Sequence, residues 1–126
     1  MLEEIIWGKR LGRALEQSRK EHKLVLAAFF SRDCEPCIKM NKCTLITETV
    51  PEYINRYFVP VKYESGIASE QFMRFDITAK PAIIVLDSAG NEIFRKIGFF
   101  EPGIFIEQLE KTRKKAARKA AVSGAV

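Results

Sequence analysis

Two cysteines separated by two residues, Cys34-Glu35-Pro36-Cys37, stand where an apolar run gives way to a polar turn. The run, Leu24-Val25-Leu26-Ala27-Ala28-Phe29-Phe30, reads as a buried strand, and a helix-like segment from Cys37 to about Lys42 follows it. A thiol between a strand and a helix N-terminus becomes reactive. The first N–H groups of the helix lack partners and point toward the turn, and the helix dipole favours negative charge there. Both effects stabilise a thiolate on Cys34, the form that attacks disulfides. Cys37, one turn in, is close enough to attack a mixed disulfide on Cys34 and release its partner. Pro36 suits the first helical turn, where its missing N–H costs nothing.

A C-x-x-C pair also supplies half of many zinc sites. Zinc takes four ligands, however, and the other candidates, Cys43 and His22, fit no common zinc spacing. His22 lies between Glu21 and Lys23 at the end of a helical pattern and reads as a solvated residue. Cys43 follows Cys37 by six residues, about 9 Å along a continuous helix and on another face. That is too far for a disulfide, so Cys43 reads as a free or partly buried thiol. Three functions stay open: a dithiol–disulfide oxidoreductase, a non-catalytic module that binds peptides or a partner, and a thiol site for a soft ion such as Cu(I).

The elements that must position the pair can be read along the chain. At 126 residues and 47% hydrophobic content the sequence suffices for one domain with its own core. Ile5, Ile6, Leu11, Ala14 and Leu15 recur at helical spacing, predicting a helix from Glu3 to Glu21 with Trp7 as a core anchor. After the C-x-x-C helix, Thr47 to Tyr57 reads as a second short helix and Phe58 to Tyr63 as a strand, in which Pro60 points to a sheet edge or a bulge. A helix from Ile67 to Phe75 precedes the strand Ala82-Ile83-Ile84-Val85-Leu86. A turn at Asp87 to Asn91, with Gly90 left-handed, leads into a hairpin arm from Glu92 to Ile97, and Pro102 opens the last helix. Helices join the first two strands, so these must be parallel.

Charge is distributed unevenly. Six cations from Lys111 to Lys119 have no acid beyond Glu110, so the net +5 of the chain becomes −1 for residues 1–110. The expected organisation is a domain over residues 1–110 and a basic helical extension or tail over 111–126, ending in a disordered Ser123-Gly124-Ala125-Val126. The tail has no aromatic to stack on a base, so nucleic acid is not an expected partner. No run is long enough to span a bilayer. The acidic start, Met1-Leu2-Glu3-Glu4, is no signal peptide. A cytoplasmic location is therefore expected, a removed leader aside, and there a C-x-x-C disulfide is transient and catalytic rather than structural.

These pieces together resemble the thioredoxin-like superfamily over roughly residues 5–110. The resemblance is carried by Trp7 and Ala14-Leu15, the strand from Lys23, Cys34-Glu35-Pro36-Cys37 with Lys39-Met40, Phe58 to Lys62, Phe75 to Pro81, Val85-Leu86-Asp87 with Gly90, and Gly98. It implies an α/β thioredoxin fold, a central mixed β-sheet flanked by helices, with an extra N-terminal helix. It implies a cis peptide before Pro81 facing the cysteines, and a substrate groove formed by the Cys34 turn, Lys80, Pro81 and Gly98. Cys34 would attack protein disulfides and Cys37 resolve them, with a reductase or oxidase recycling the pair and neither cofactor nor metal required. An intact C-x-x-C opposite Pro81 favours this reading over a pure binder.

Three departures from the family pattern stand out. Asp33 replaces the usual Trp before the first cysteine, and with Glu35 it opposes thiolate formation, which Arg32 and Lys39 would offset. Ala28 stands where many relatives bury an acid that moves the proton of the second cysteine, leaving Glu35 or water to serve. Cys43 is additional.

Overall fold

The computed structural model describes residues 3–124, with side chains to residue 121. Nine elements follow one another: α1 (Leu11–Glu21), β1 (Leu24–Phe30), α2 (Glu35–Cys43), α3 (Thr49–Tyr57), β2 (Phe58–Glu64), α4 (Ser69–Arg74), β3 (Ala82–Leu86), β4 (Glu92–Ile97) and α5 (Pro102–Gly124). The four strands form one mixed sheet in the order β2-β1-β3-β4. β1 runs parallel to β2 and antiparallel to β3, and β4 returns antiparallel beside β3.

β1 is apolar throughout because both of its faces are covered. Alternate residues point to opposite sides of a strand. Leu26, Ala28 and Phe30 pack with Cys37, Met40, Ile54, Phe105 and Leu109 on one face, while Val25, Ala27 and Phe29 pack with Leu11, Ala14 and Phe75 on the other. β1 is thus a rigid central rod, and the Cys34 turn extends directly from its end.

The N-terminal segment differs from the sequence expectation. The helix starts at Leu11 rather than Glu3, and Gly8 bridges Val61 on β2. The Gly8 N–H donates to Pro60 O at 2.9 Å, and the Lys62 N–H donates to Gly8 O at 3.1 Å. Asn55 holds the same segment, accepting from Ile6 N at 3.0 Å and donating to Glu4 O at 2.7 Å. Ile5 is buried and Ile6 is 77% exposed, and the Trp7 N–H turns back to Ile5 O at 3.2 Å. The Gly8 bonds to β2 and the Asn55 bonds to this segment outweigh a helical spacing that Ile5 and Ile6 matched by coincidence. Trp7 is half-buried against the core rather than enclosed by it. Pro60 does lie on the edge strand, where its missing N–H faces no ladder partner.

α5 continues without a break past Glu110 to Gly124, while Ala125 and Val126 of the expected disordered end lie outside the described residues. Its packing against α3 reaches Arg113. Tyr53 Oη donates to Glu110, Arg113 Nη1 donates to Glu110 Oε1 at 2.8 Å, and the Arg113 guanidinium sits 3.7 Å from the centre of the Tyr57 ring. The Tyr53 hydroxyl, and then the Arg113 charge, hold the Glu110 carboxyl below its ordinary value of 4.5. A depressed folded-state pKa gives stability that is present above the unfolded value and lost as pH falls through the folded one. Acidification below about pH 4.5 should therefore loosen α5 from α3. Because Glu110 is part-exposed the effect is modest, about 0.3–1 kcal/mol. Thermal melts across this range should show a shallower acid-side decline in Glu110→Gln than in the unmodified protein, and parallel declines would refute the assignment.

Candidate active site

Cys34 is the N-cap of α2, with extended backbone, and Pro36 lies in the first turn of the helix. The Cys37 N–H donates to Cys34 Sγ at 3.2 Å, so an orphan donor of the helix N-terminus is aimed at the sulfur. The two sulfurs are joined as a disulfide, with their Cα atoms 5.1 Å apart. Cys34 is part-exposed and Cys37 fully buried. This is the asymmetry expected of an attacking and a resolving thiol.

Distant parts of the chain complete the site. Phe29 pairs with Ala82 at the start of β3, which brings the preceding Lys80-Pro81 beside the Cys34 turn. The Lys80–Pro81 peptide is cis, and Lys80 O lies 3.5 Å from Cys34 Sγ. The Gly98 N–H donates to Pro81 O at 2.8 Å. Gly98 has φ 102°, a conformation that a side chain would strain. Beyond it, Phe100 O accepts from the Thr44 hydroxyl at the end of α2, and Phe100 N lies 3.4 Å from Met40 Sδ. α2 is thereby pinned at both ends, by Cys34 against Lys80 and by Thr44 against Phe100. Cys34, Cys37, Lys80, Pro81 and Gly98, separated in sequence, form one site.

The charged neighbours behave differently from one another. Asp33 accepts from the Ser31 hydroxyl, and this bond, a backbone N–H and the Lys80 charge hold its carboxyl below the usual carboxylate range. Asp33 thus carries its negative charge on the exposed turn next to Cys34. Arg32 is committed to Glu64 at 3.3 Å, and the Lys39 ammonium lies 4.3 Å from the centre of the Phe99 ring. Glu35 is exposed, and residues two apart on a helix point to nearly opposite sides, so it is not placed to handle the proton of buried Cys37. Cys43 is exposed at the far end of α2 and is not brought to the pair. His22 is exposed, as expected, in a left-handed cap of α1.

Sequence reasoning missed Lys62. It is the register partner of Ala28, on the edge strand, and its ammonium turns inward. Nζ donates to Asn41 Oδ1 on α2 at 3.1 Å and lies 4.7 Å from the centre of the Phe30 ring and 5.6 Å from that of Trp7. Desolvation lowers the pKa of Lys62, with Glu64 pulling the other way. The available signal was a lone charge inside the apolar run Phe58 to Tyr63.

A mixed sheet with a helix N-terminal C-x-x-C facing a cis-proline is the arrangement of thioredoxin-fold proteins. The Thioredoxin-like domain family matches residues 11–113, and the chain belongs to it. Among solved structures, the DsbH oxidoreductase superposes with a TM-score of 0.76 at 19% identity, covering 90% of this chain and 87% of that one. A thioredoxin from Thermus thermophilus gives 0.73 at 21% identity, with 98% and 94% covered. The oxidised C-terminal domain of DsbD from Neisseria meningitidis gives 0.65 at 25%, with 81% and 92% covered. No curated protein sequence matches. No described helix is long and apolar enough to cross a membrane.

Proposed function

We propose that this protein is a thiol–disulfide oxidoreductase acting on protein disulfides, with Cys34 as the attacking thiolate and Cys37 as the resolving thiol. One observation carries the reading: the part-exposed sulfur at the start of α2 receives a backbone N–H, while its partner sulfur is buried behind it. The Cys34 thiolate attacks one sulfur of a substrate disulfide and expels the other as a thiolate, which takes a proton from water. Cys37 then loses its proton and attacks Cys34, releasing the second substrate thiol and closing the Cys34–Cys37 disulfide. The substrate gains two electrons and the protein dithiol loses two, so a separate reductase must restore the dithiol. Run in reverse, the same steps oxidise a substrate and need an oxidase.

The backbone at Lys80, with Pro81 and the Gly98 loop, forms the groove along which an extended substrate segment lies. Asp33 and Lys80 give that groove one charge of each sign beside the reacting sulfur. Insulin precipitation in the presence of dithiothreitol tests the reading. The wild-type protein should accelerate it catalytically, and no acceleration beyond dithiothreitol alone would refute the proposal.

The distal part of α5 is peripheral to this chemistry. Truncation after Lys114 retains the Arg113–Tyr57 and Arg113–Glu110 contacts, and residues 115–121, the removed ones whose side chains are described, are exposed or part-exposed. Insulin reduction should stay within about twofold of the full chain, as expected for an exposed terminus. A tenfold loss in a protein that still unfolds cooperatively would place the tail in the site.

A further inference from the structure

A cleft of about 470 Å³ lies between α1, the N-terminal segment and the edge strand β2. It runs along Phe58 to Val61, the stretch of β2 that pairs with Leu24 to Ala27, and so sits away from the Cys34 turn at the other end of β1. Its size falls within the roughly 300–1,000 Å³ of small-molecule sites. Val59, Pro60 and Val61 of β2 and Ala14 of α1 form a buried apolar floor, with half-buried Trp7 and exposed Ile6 at its mouth. Pro60 has no N–H to donate, so this stretch of edge is poorly suited to pairing with an added strand.

One wall of the cleft is cationic. Lys9, Arg10 and Arg13 line it, the two arginines three residues apart and so on one side of α1. No carboxylate among the described residues lies within ion-pair distance of any of the three. Glu16 is paired with Lys20 and Glu21 with Lys23, and Glu3 accepts from Asn55 Nδ2 at 2.7 Å. The positive pole of α1 adds to them, because Arg10 at the N-cap brings no side-chain acceptor and the first turn holds no acid. Like charges gathered in this way repel one another, and a bound anion would relieve that repulsion.

We infer that this cleft binds a small organic phosphate, a monoester whose dianionic head is held by Lys9, Arg10 and Arg13 and whose apolar or aromatic body lies over Trp7 and Pro60. Guanidinium forks match phosphate oxygens in pairs, and three cations suit a dianion better than the single charge of a carboxylate. An aromatic body covers the indole and removes the exposed Ile6 side chain from water. The inference is independent of the disulfide chemistry. None of Cys34, Cys37, Lys80, Pro81 and Gly98 lines the cleft, and binding involves no covalent step.

Trp7 is the only tryptophan of the chain, so its indole N–H gives a single resonance that reports on the cleft directly. The full-length protein is titrated with phenyl phosphate at low salt and about pH 7.5, where the ester is a dianion. The indole resonance should shift saturably, with half the change complete at about 1 mM or below. Inorganic phosphate, which lacks the body, and benzyl alcohol, which lacks the charge, should each bind at least about tenfold more weakly. The double variant Arg10→Gln/Arg13→Gln should weaken phenyl phosphate about tenfold or more. Both side chains are exposed, so the fold should survive. Lys115→Gln/Arg118→Gln, the same change of charge on the exposed side of α5, should stay within about twofold. A shift that fails to saturate, inorganic phosphate binding as tightly as phenyl phosphate, or an equal loss in both double variants would overturn the inference. So would a phosphotyrosyl peptide binding about tenfold more tightly than phenyl phosphate, which would give the cleft to a partner's chain. The ligand comparisons use the unmodified protein and stand whether or not a variant folds.

Discussion

Cys34→Ser is expected to lose insulin-reducing activity by at least about a thousandfold, because removing a nucleophile removes the covalent pathway and not merely a contact. A serine hydroxyl at this position has the orphan N–H of α2 to support it but stays protonated at neutral pH. The fold should survive the change. Serine is a favoured N-cap residue, so α2 keeps a partner for its first turn, and Cys34 is part-exposed, so little packing is lost. An unchanged melting temperature beside abolished turnover is the expected pair of results. Activity above a tenth of wild type would show that another thiol, with exposed Cys43 the first suspect, does the work.

Cys37→Ser should produce the opposite kind of defect, a protein that reacts and does not release. Cys34 still attacks, but no thiol remains behind it to expel the substrate, so the mixed disulfide persists. In Cys43→Ser protein mixed with an oxidised substrate, non-reducing electrophoresis should show covalent adducts rising from a trace in wild type to the major species. Reduction should dissolve them, and peptide mapping should place them on Cys34. The variant also puts a hydroxyl into the apolar cluster around position 37, which should cost about 1–3 kcal/mol of stability. Adducts no more abundant than in wild type would remove the resolving role from Cys37.

Much of this site was legible in the sequence because it is built from local signals. A seven-residue apolar run, a turn and a proline in the first helical turn are enough to place Cys34 at the start of α2. The hairpin from Asp87 to Asn91 was equally local, since the Asp87 carboxylate accepts from Ala89 N and Asn91 N and Gly90 takes a positive φ. What could not be read depends on contacts between distant segments. Ile5 and Ile6 fit a helical pattern, and only distant contacts, Asn55 accepting from Ile6 N and Gly8 bridging Val61 on β2, hold that backbone outside a helix. The inward turn of the Lys62 ammonium depends on Ala28 being small and Asn41 lying opposite, neither of which its own neighbours in sequence reveal. Asp33, Glu35, Arg32 and Lys39 were all expected to tune Cys34, and what their neighbours in sequence do not reveal is that Arg32 pairs with Glu64 while the Lys39 ammonium lies over the Phe99 ring.

The relative reactivity of the three thiols tests the assignment of Cys34 and Cys37 most directly. The reduced wild-type protein, pulsed with iodoacetamide at neutral pH and mapped by mass spectrometry, should carry the label first on Cys34. Cys34 has both exposure and the helix N-terminus to hold its thiolate. Cys43 has exposure alone and should follow more slowly, and buried Cys37 should label last. Labelling of Cys37 ahead of Cys34 would contradict the assignment of attacking and resolving roles, and equal rates at Cys34 and Cys43 would contradict any activation of Cys34 by α2.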